Sequence, residues 1–194
     1  GNVTPNENED FEIRMRMFGY THEDIKTIII PMSKLAKEAI GSMGTDTPLA
    51  VLSNRPQLLF NYFKQLFAQV TNPPLDGIRE EIITDTSLTI GNEFNLFEII
   101  PNHSKKLSIQ NPIISNEDLD KIKFIKSDDF KSYTVSTLYN INSGLNGLED
   151  ALDKIIQAIE VELENGVNII ILSDRGVSKL LAPIPILLAT AHVH

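Results

Sequence analysis

SYTVSTLYNINSGLNGLEDALDKIIQAIEVELENGVNIIILSD, residues 132–174, decides the fold of this chain. Residues 132–140 are rich in β-branched and aromatic side chains, which suit a pleated, half-buried surface, and they predict a strand. Leu148, Leu152, Ile155, Ile156, Ile159 and Leu163 return at helical spacing and predict a helix over 145–165, stopped at Gly166. NIIILSD, residues 168–174, is a short continuous apolar run of the kind buried on both faces of a parallel sheet, and it predicts a strand at 168–173. Strand, helix and strand make a βαβ unit, whose crossover is right-handed. The fold class is therefore α/β, with parallel strands and flanking helices arranged as an open sheet or a partial (β/α) barrel.

Downstream, Ala182-Pro183-Ile184-Pro185 opens a last helix, ILLATAHVH. Upstream, SNEDLDKIKFI reads as a short helix capped by Ser115, with Asp118 three residues on. IREEIITDTSLTIG reads as a helix followed by a short strand, with a turn at Gly91-Asn92, and PNHSKKLSIQNPIIS as loop and extended chain. PLAVL, within 48–53, is a further apolar run read as a parallel strand. It leads into a predicted helix at 55–71, where Leu59, Tyr62, Phe63, Leu66, Phe67 and Val70 form one stripe ended by Asn72-Pro73-Pro74. An earlier helix begins at Thr21, with Asp24 completing a capping box, and Pro31 should kink or split it. Residues 1–17 read as a disordered or tag-derived lead, and 18–194 as the domain proper.

Composition narrows function. Hydrophobic content of 42% with 22% charged residues is that of a globular chain. A net charge of −9 argues against nucleic acid or an anionic membrane as partner, because phosphate rewards Lys and Arg. No apolar run approaches the roughly 18–20 residues that span a bilayer, and the chain reads as cytoplasmic. There is no cysteine, hence no thiolate nucleophile, disulfide, Cys-ligated zinc or iron–sulfur ligation from these residues. His192-x-His194 has the look of a metal pair, but it lies at the end of an apolar helical run, and no metal site is assigned.

Three stretches are candidates for chemistry. GSMG, residues 41–44, is glycine-rich, but a phosphate-cradling loop needs its glycines between a strand and a helix, and a Walker loop also needs a following Lys. Here the glycines precede the apolar run and no Lys follows Gly44, so the phosphate reading fails on order. Gly41 and Gly44 still permit a sharp turn or a close approach by another group. Asp174 and Arg175 follow the last strand, at the carboxyl end where α/β folds place ligands. They could bind a polar ligand, or Asp174 could cap the next turn while Arg175 pairs with it or with another domain. Asp76 to Glu81 is a charge run read as a solvated helix face. No nucleophile, base and oxyanion donor come together, so no catalytic residue is assigned.

The run GSMGTDTPLAVLSNRPQLLFNYFKQLFAQVTNPPLDGIREE, residues 41–81, closely resembles the central domain of glutamate synthase. The likeness weakens after 82 and returns at NIIILSDRG and APIPILLATAHVH. The resemblance implies a large parent enzyme making two glutamates from glutamine, 2-oxoglutarate and reductant. Its glutaminase domain would carry a Cys nucleophile, and its FMN-binding (β/α) barrel an iron–sulfur cluster; this fragment would hold no cofactor of its own. It further implies that Ser42, Met43 and Gly44 approach the flavin and 2-oxoglutarate site from outside the barrel, with Met43 as an unbranched apolar contact. The partners would be the glutaminase and FMN-barrel domains, with a reductase subunit or ferredoxin as a further one. Two readings stand: a non-catalytic coupling domain that helps enclose ammonia transfer, or a free-standing α/β module binding a small anion through Gly44, Asp174 and Arg175.

Overall fold

The computed structural model describes residues 7–37, 48, 50–54, 57–63, 67, 74–92, 94–95 and 97–194. They fall into two compact units, divided between Leu75 and Asp76. In the first, α1 (Glu7–Met17) occupies part of the expected lead and buries Met15. A turn through Gly19, at φ +73°, comes next; a Cβ there would collide with the Leu58 side chain, so glycine is required twice over. Thr21 then caps α2 (His22–Asp24) in the expected box. Its hydroxyl accepts the Asp24 N–H (3.1 Å), and the Asp24 carboxylate accepts the Thr21 N–H (2.8 Å).

Pro31 does split the helical stretch that Thr21 opens. A π-helical turn, Ile25–Ile29, precedes α3 (Ile30–Leu35), and the Ile30 N–H reaches back five residues to the Ile25 carbonyl. Pro31 has no N–H to give, and the wider turn accommodates that gap in the ladder. Ala36, left-handed at φ 46°, ends the helix.

The strand expected at 48–53 is not formed. Ala50–Ser53 make a turn closed by the Ser53 N–H on the Ala50 carbonyl (2.9 Å), and Leu52 is 97% exposed. An apolar run becomes a strand only when another strand offers it a ladder, and among the described residues none does. Of the helix expected at 55–71, the described residues hold one 3₁₀ segment, Leu59–Phe63, with Phe60, Tyr62 and Phe63 exposed. With Tyr62, Phe63 and Phe67 exposed, these residues lack much of the burial that stabilises most protein helices.

The second unit opens on α4 (Glu80–Ile83) and a two-stranded antiparallel sheet, β1 (Leu88–Ile90) with β2 (Leu107–Ile109). A 3₁₀ turn, Pro101–Ser104, lies between these strands. The helix α5 (Asn116–Lys123) starts at the expected cap, with the Ser115 hydroxyl accepting the Asp118 N–H.

The βαβ unit is present. β3 (Ser132–Ser136) pairs in parallel with β5 (Ile169–Ser173), in register from Ser132↔Ile169 to Ser136↔Ser173. The strand predicted at 132–140 is interrupted at Thr137 and continues as β4 (Leu138–Asn140), antiparallel to β6 (Leu181–Pro183). Thr137 is the pivot: its N–H meets the Ser173 carbonyl and its own carbonyl accepts the Ile184 N–H, both at 2.8 Å. Between β4 and β5 runs α6 (Gly147–Glu164). It ends in a Schellman motif, with Gly166 at φ +83° and its N–H on Leu163, and the Val167 N–H on Glu162. α7 (Ile186–Val193) comes after β6. Val135, Leu152, Ile155, Ile159, Ile184 and Ala189 form one buried cluster, so α6 and α7 share a single face of β3 and β5.

Candidate functional site

The carboxyl ends of β3 and β5 come together at the Ser136↔Ser173 pair, and this is where the sequence places Asp174 and Arg175. Gly176, at φ +96°, turns the chain immediately afterwards. Asp174 is half-buried and Arg175 exposed. The Arg175 backbone N–H points to the Ser173 hydroxyl (3.4 Å), and its guanidinium donates to Asn116 Oδ1 at 2.7 Å. Arg175 therefore clasps the first residue of α5 rather than Asp174. Asn116 is the residue that sequence reasoning missed, since a contact spanning 59 positions leaves no local signal.

The α5 end is itself ordered by charge and capping. The Lys121 ammonium on Asp118 (2.6 Å), and then the Ser115 hydroxyl, hold the Asp118 carboxyl below the usual carboxylate range. Ser115 and Asp118 also line a cavity of about 380 Å³ walled by Leu107, Ile109, Ile114 and Ile122. At the opposite, amino end of the parallel pair, a more polar cavity of about 240 Å³ is lined by Lys105, Asp128, Asp129 and Asn168, with Lys105 and Asp129 paired at 2.5 Å. In the first unit an apolar groove of about 440 Å³ lies among Phe11, Met15, Phe18, Tyr20, Ile25 and Ile29.

Ser42, Met43 and Gly44 lie outside the described residues. His192 faces Asp153 of α6 across 3.9 Å, in a contact between α6 and α7. The Asp76–Glu81 run is exposed throughout, with Asp76 accepting the Ile78 N–H and standing 4.0 Å from Arg79, as a solvated face should be. No helix among the described residues is long and apolar enough to cross a membrane.

These features define an α/β domain with a charged turn at the carboxyl end of its parallel strands. The family model for the glutamate synthase central domain matches residues 13–194, and the chain belongs to that family. It is similar to the glutamate synthase [NADPH] large chain of Bacillus subtilis, 43% identical over 95% of this chain and 12% of that protein. It also resembles ferredoxin-dependent glutamate synthase 2 of Synechocystis (39% identical; 91% of this chain, 11% of the relative) and glutamate synthase [NADH] of Schizosaccharomyces pombe (37%; 93% and 9%). The chain thus spans about a tenth of the length of these relatives.

Proposed function

We propose that this chain is the non-catalytic coupling domain of a glutamate synthase that turns glutamine, 2-oxoglutarate and reductant into two glutamates. It links the glutaminase domain to the FMN barrel and helps enclose ammonia on its way between them. The observation that carries this reading is membership of the central-domain family across residues 13–194. A supporting one is the complete absence of cysteine, which puts any thiol nucleophile and any cluster ligands elsewhere in the parent. FMN, when bound by the parent, supplies the redox chemistry; Ser42-Met43-Gly44 contributes only a closely approaching backbone and an apolar contact. Relatives named for NADPH, ferredoxin and NADH match the same stretch at 43%, 39% and 37%, which supports a donor choice made outside this domain.

On this reading the Asp174–Arg175 turn faces a neighbouring domain, with Asn116 fixing the guanidinium. The test is a pair of parent-enzyme variants, Arg175→Ala and Asn116→Ala. In each, glutamate formed per glutamine hydrolysed and free ammonia released are measured together. Loss of enclosure lowers the ratio and releases ammonia while glutamine hydrolysis persists. An unchanged ratio in both variants removes this turn from the coupling role. Saturable binding of phosphate by the 194-residue chain alone, abolished by Arg175→Ala, would favour the small-anion module instead.

A further inference from the structure

The parallel pair at the heart of the second unit has an unfinished edge. Peptide groups along a strand alternate in direction. The Ile169 N–H donates to Lys131 and the Ser173 carbonyl accepts from Thr137, so Ile169, Ile171 and Ser173 turn their peptide groups toward β3. Those of Ile170 and Leu172 therefore point the other way, and among the described residues no strand pairs with that edge. Both side chains are half-buried and pack against the cluster under α6 and α7, so the strand that carries this edge is held in place by the core. The edge also lacks the usual guards. Residues 169–172 are Ile-Ile-Ile-Leu, with no charge, proline or bulge to repel another strand. Parallel sheets, moreover, are built to be buried, and a two-stranded one is marginal.

We propose that the Ile170–Leu172 edge is a docking surface for a third parallel strand, supplied by the segment of the parent polypeptide that comes after α7. The direction of the chain selects this occupant. α6 carries β3 over to β5 on one face, and α7 packs beside α6 on that same face, with His192 opposite Asp153. A strand reached from α7 by a right-handed crossover lands next to β5, at its open edge. These residues span only 12% of the Bacillus subtilis relative, so most of a parent of that length lies outside them. The inference rests on family membership and is independent of the ammonia-enclosing role.

Residue-resolved hydrogen exchange tests it on three proteins: the full parent chain, a truncation ending after the first strand-length segment beyond α7, and the 194-residue chain. In the two longer proteins the Ile170 and Leu172 amides should exchange about a hundredfold or more slowly than in the 194-residue chain, approaching Ile169 and Ile171. Edge-like exchange at Ile170 and Leu172 in the full parent overturns the proposal. So does protection that appears in the full parent but not in the truncation, because a distant segment would then be the occupant. Protection in the 194-residue chain that grows with protein concentration, accompanied by a dimer in sedimentation, assigns the edge to a second copy and also overturns it.

Discussion

Replacing Thr137 with valine should stabilise this protein. Thr137 is 0% exposed, and its hydroxyl has no hydrogen-bond partner among the described residues. Its backbone is fully used, by Ser173 on one side and Ile184 on the other, so the side chain can be changed without touching the ladder. A buried hydroxyl without a partner costs about 1–3 kcal/mol. Valine keeps the β-branch, and with it the χ1 restriction and strand preference, while removing the oxygen. The expected gain is about 1–2 kcal/mol, which for a chain of this length raises the melting temperature by roughly 2–8 °C. Thr137→Ser, which keeps the hydroxyl and deletes the methyl, should instead lose about 1 kcal/mol. Urea melts of the three proteins decide the matter, provided the slope stays constant. If Thr137→Val lowers stability by about 1 kcal/mol or more, the hydroxyl is engaged in the folded protein and the reasoning fails.

Ile155→Ala, at a position 4% exposed in the centre of the cluster, should cost about 2–5 kcal/mol in the same melts; a loss below about 1 would mean that α6 is not seated on β3 and β5 as described. Ser115→Ala should cost about 1 kcal/mol through the α5 cap, readable from amide exchange in that helix. Because Lys121 and Ser115 lower the Asp118 carboxyl in the folded state, its contribution is full above the unfolded carboxylate range and fades as pH falls through the lowered folded value. Lys121→Ala should move the Asp118 titration upward by NMR and narrow that acid-sensitive window, and an unmoved titration would refute the pairing. In the parent enzyme, Gly44→Val should depress glutamate synthesis while leaving uncoupled glutaminase nearly intact, since a branched Cβ blocks close backbone approach. A parallel fall of both activities with the melting temperature would make the loop merely structural.

Local chemistry was legible in the sequence wherever its partner lies nearby in the chain. The capping box at Thr21, the cap at Ser115 and the Gly166 stop each need only residues within a turn or two. The βαβ unit was legible because α6 repeats its apolar positions over 18 residues, and Ile-Ile-Ile-Leu has few other uses. The interruption at Thr137 was not, because it depends on β6, a three-residue strand ending in Pro183 that reads locally as the approach to a helix. PLAVL misled for the complementary reason: hydrophobicity reports a wish for burial, while a ladder requires a neighbour. At the candidate site, the strand-end rule located Asp174 and Arg175, but the grip of Arg175 on Asn116 is a tertiary fact.

Each residue of an α-helix advances the chain by about 100° around its axis. The wide turn at Ile25–Ile29 holds one residue more than an α-turn, so Ile30–Leu35 is phased about 100° away from the direction an uninterrupted helix from Thr21 would give it. In genetic terms the turn behaves as a one-codon insertion that the fold has absorbed. Deleting Thr27 removes the surplus residue, restores ordinary i to i−4 spacing up to Pro31, and swings Met32 and Leu35 onto a different side of the helix while every other side chain keeps its identity. The direction in which this helix presents its aliphatic residues is thus set by residue count as much as by residue type.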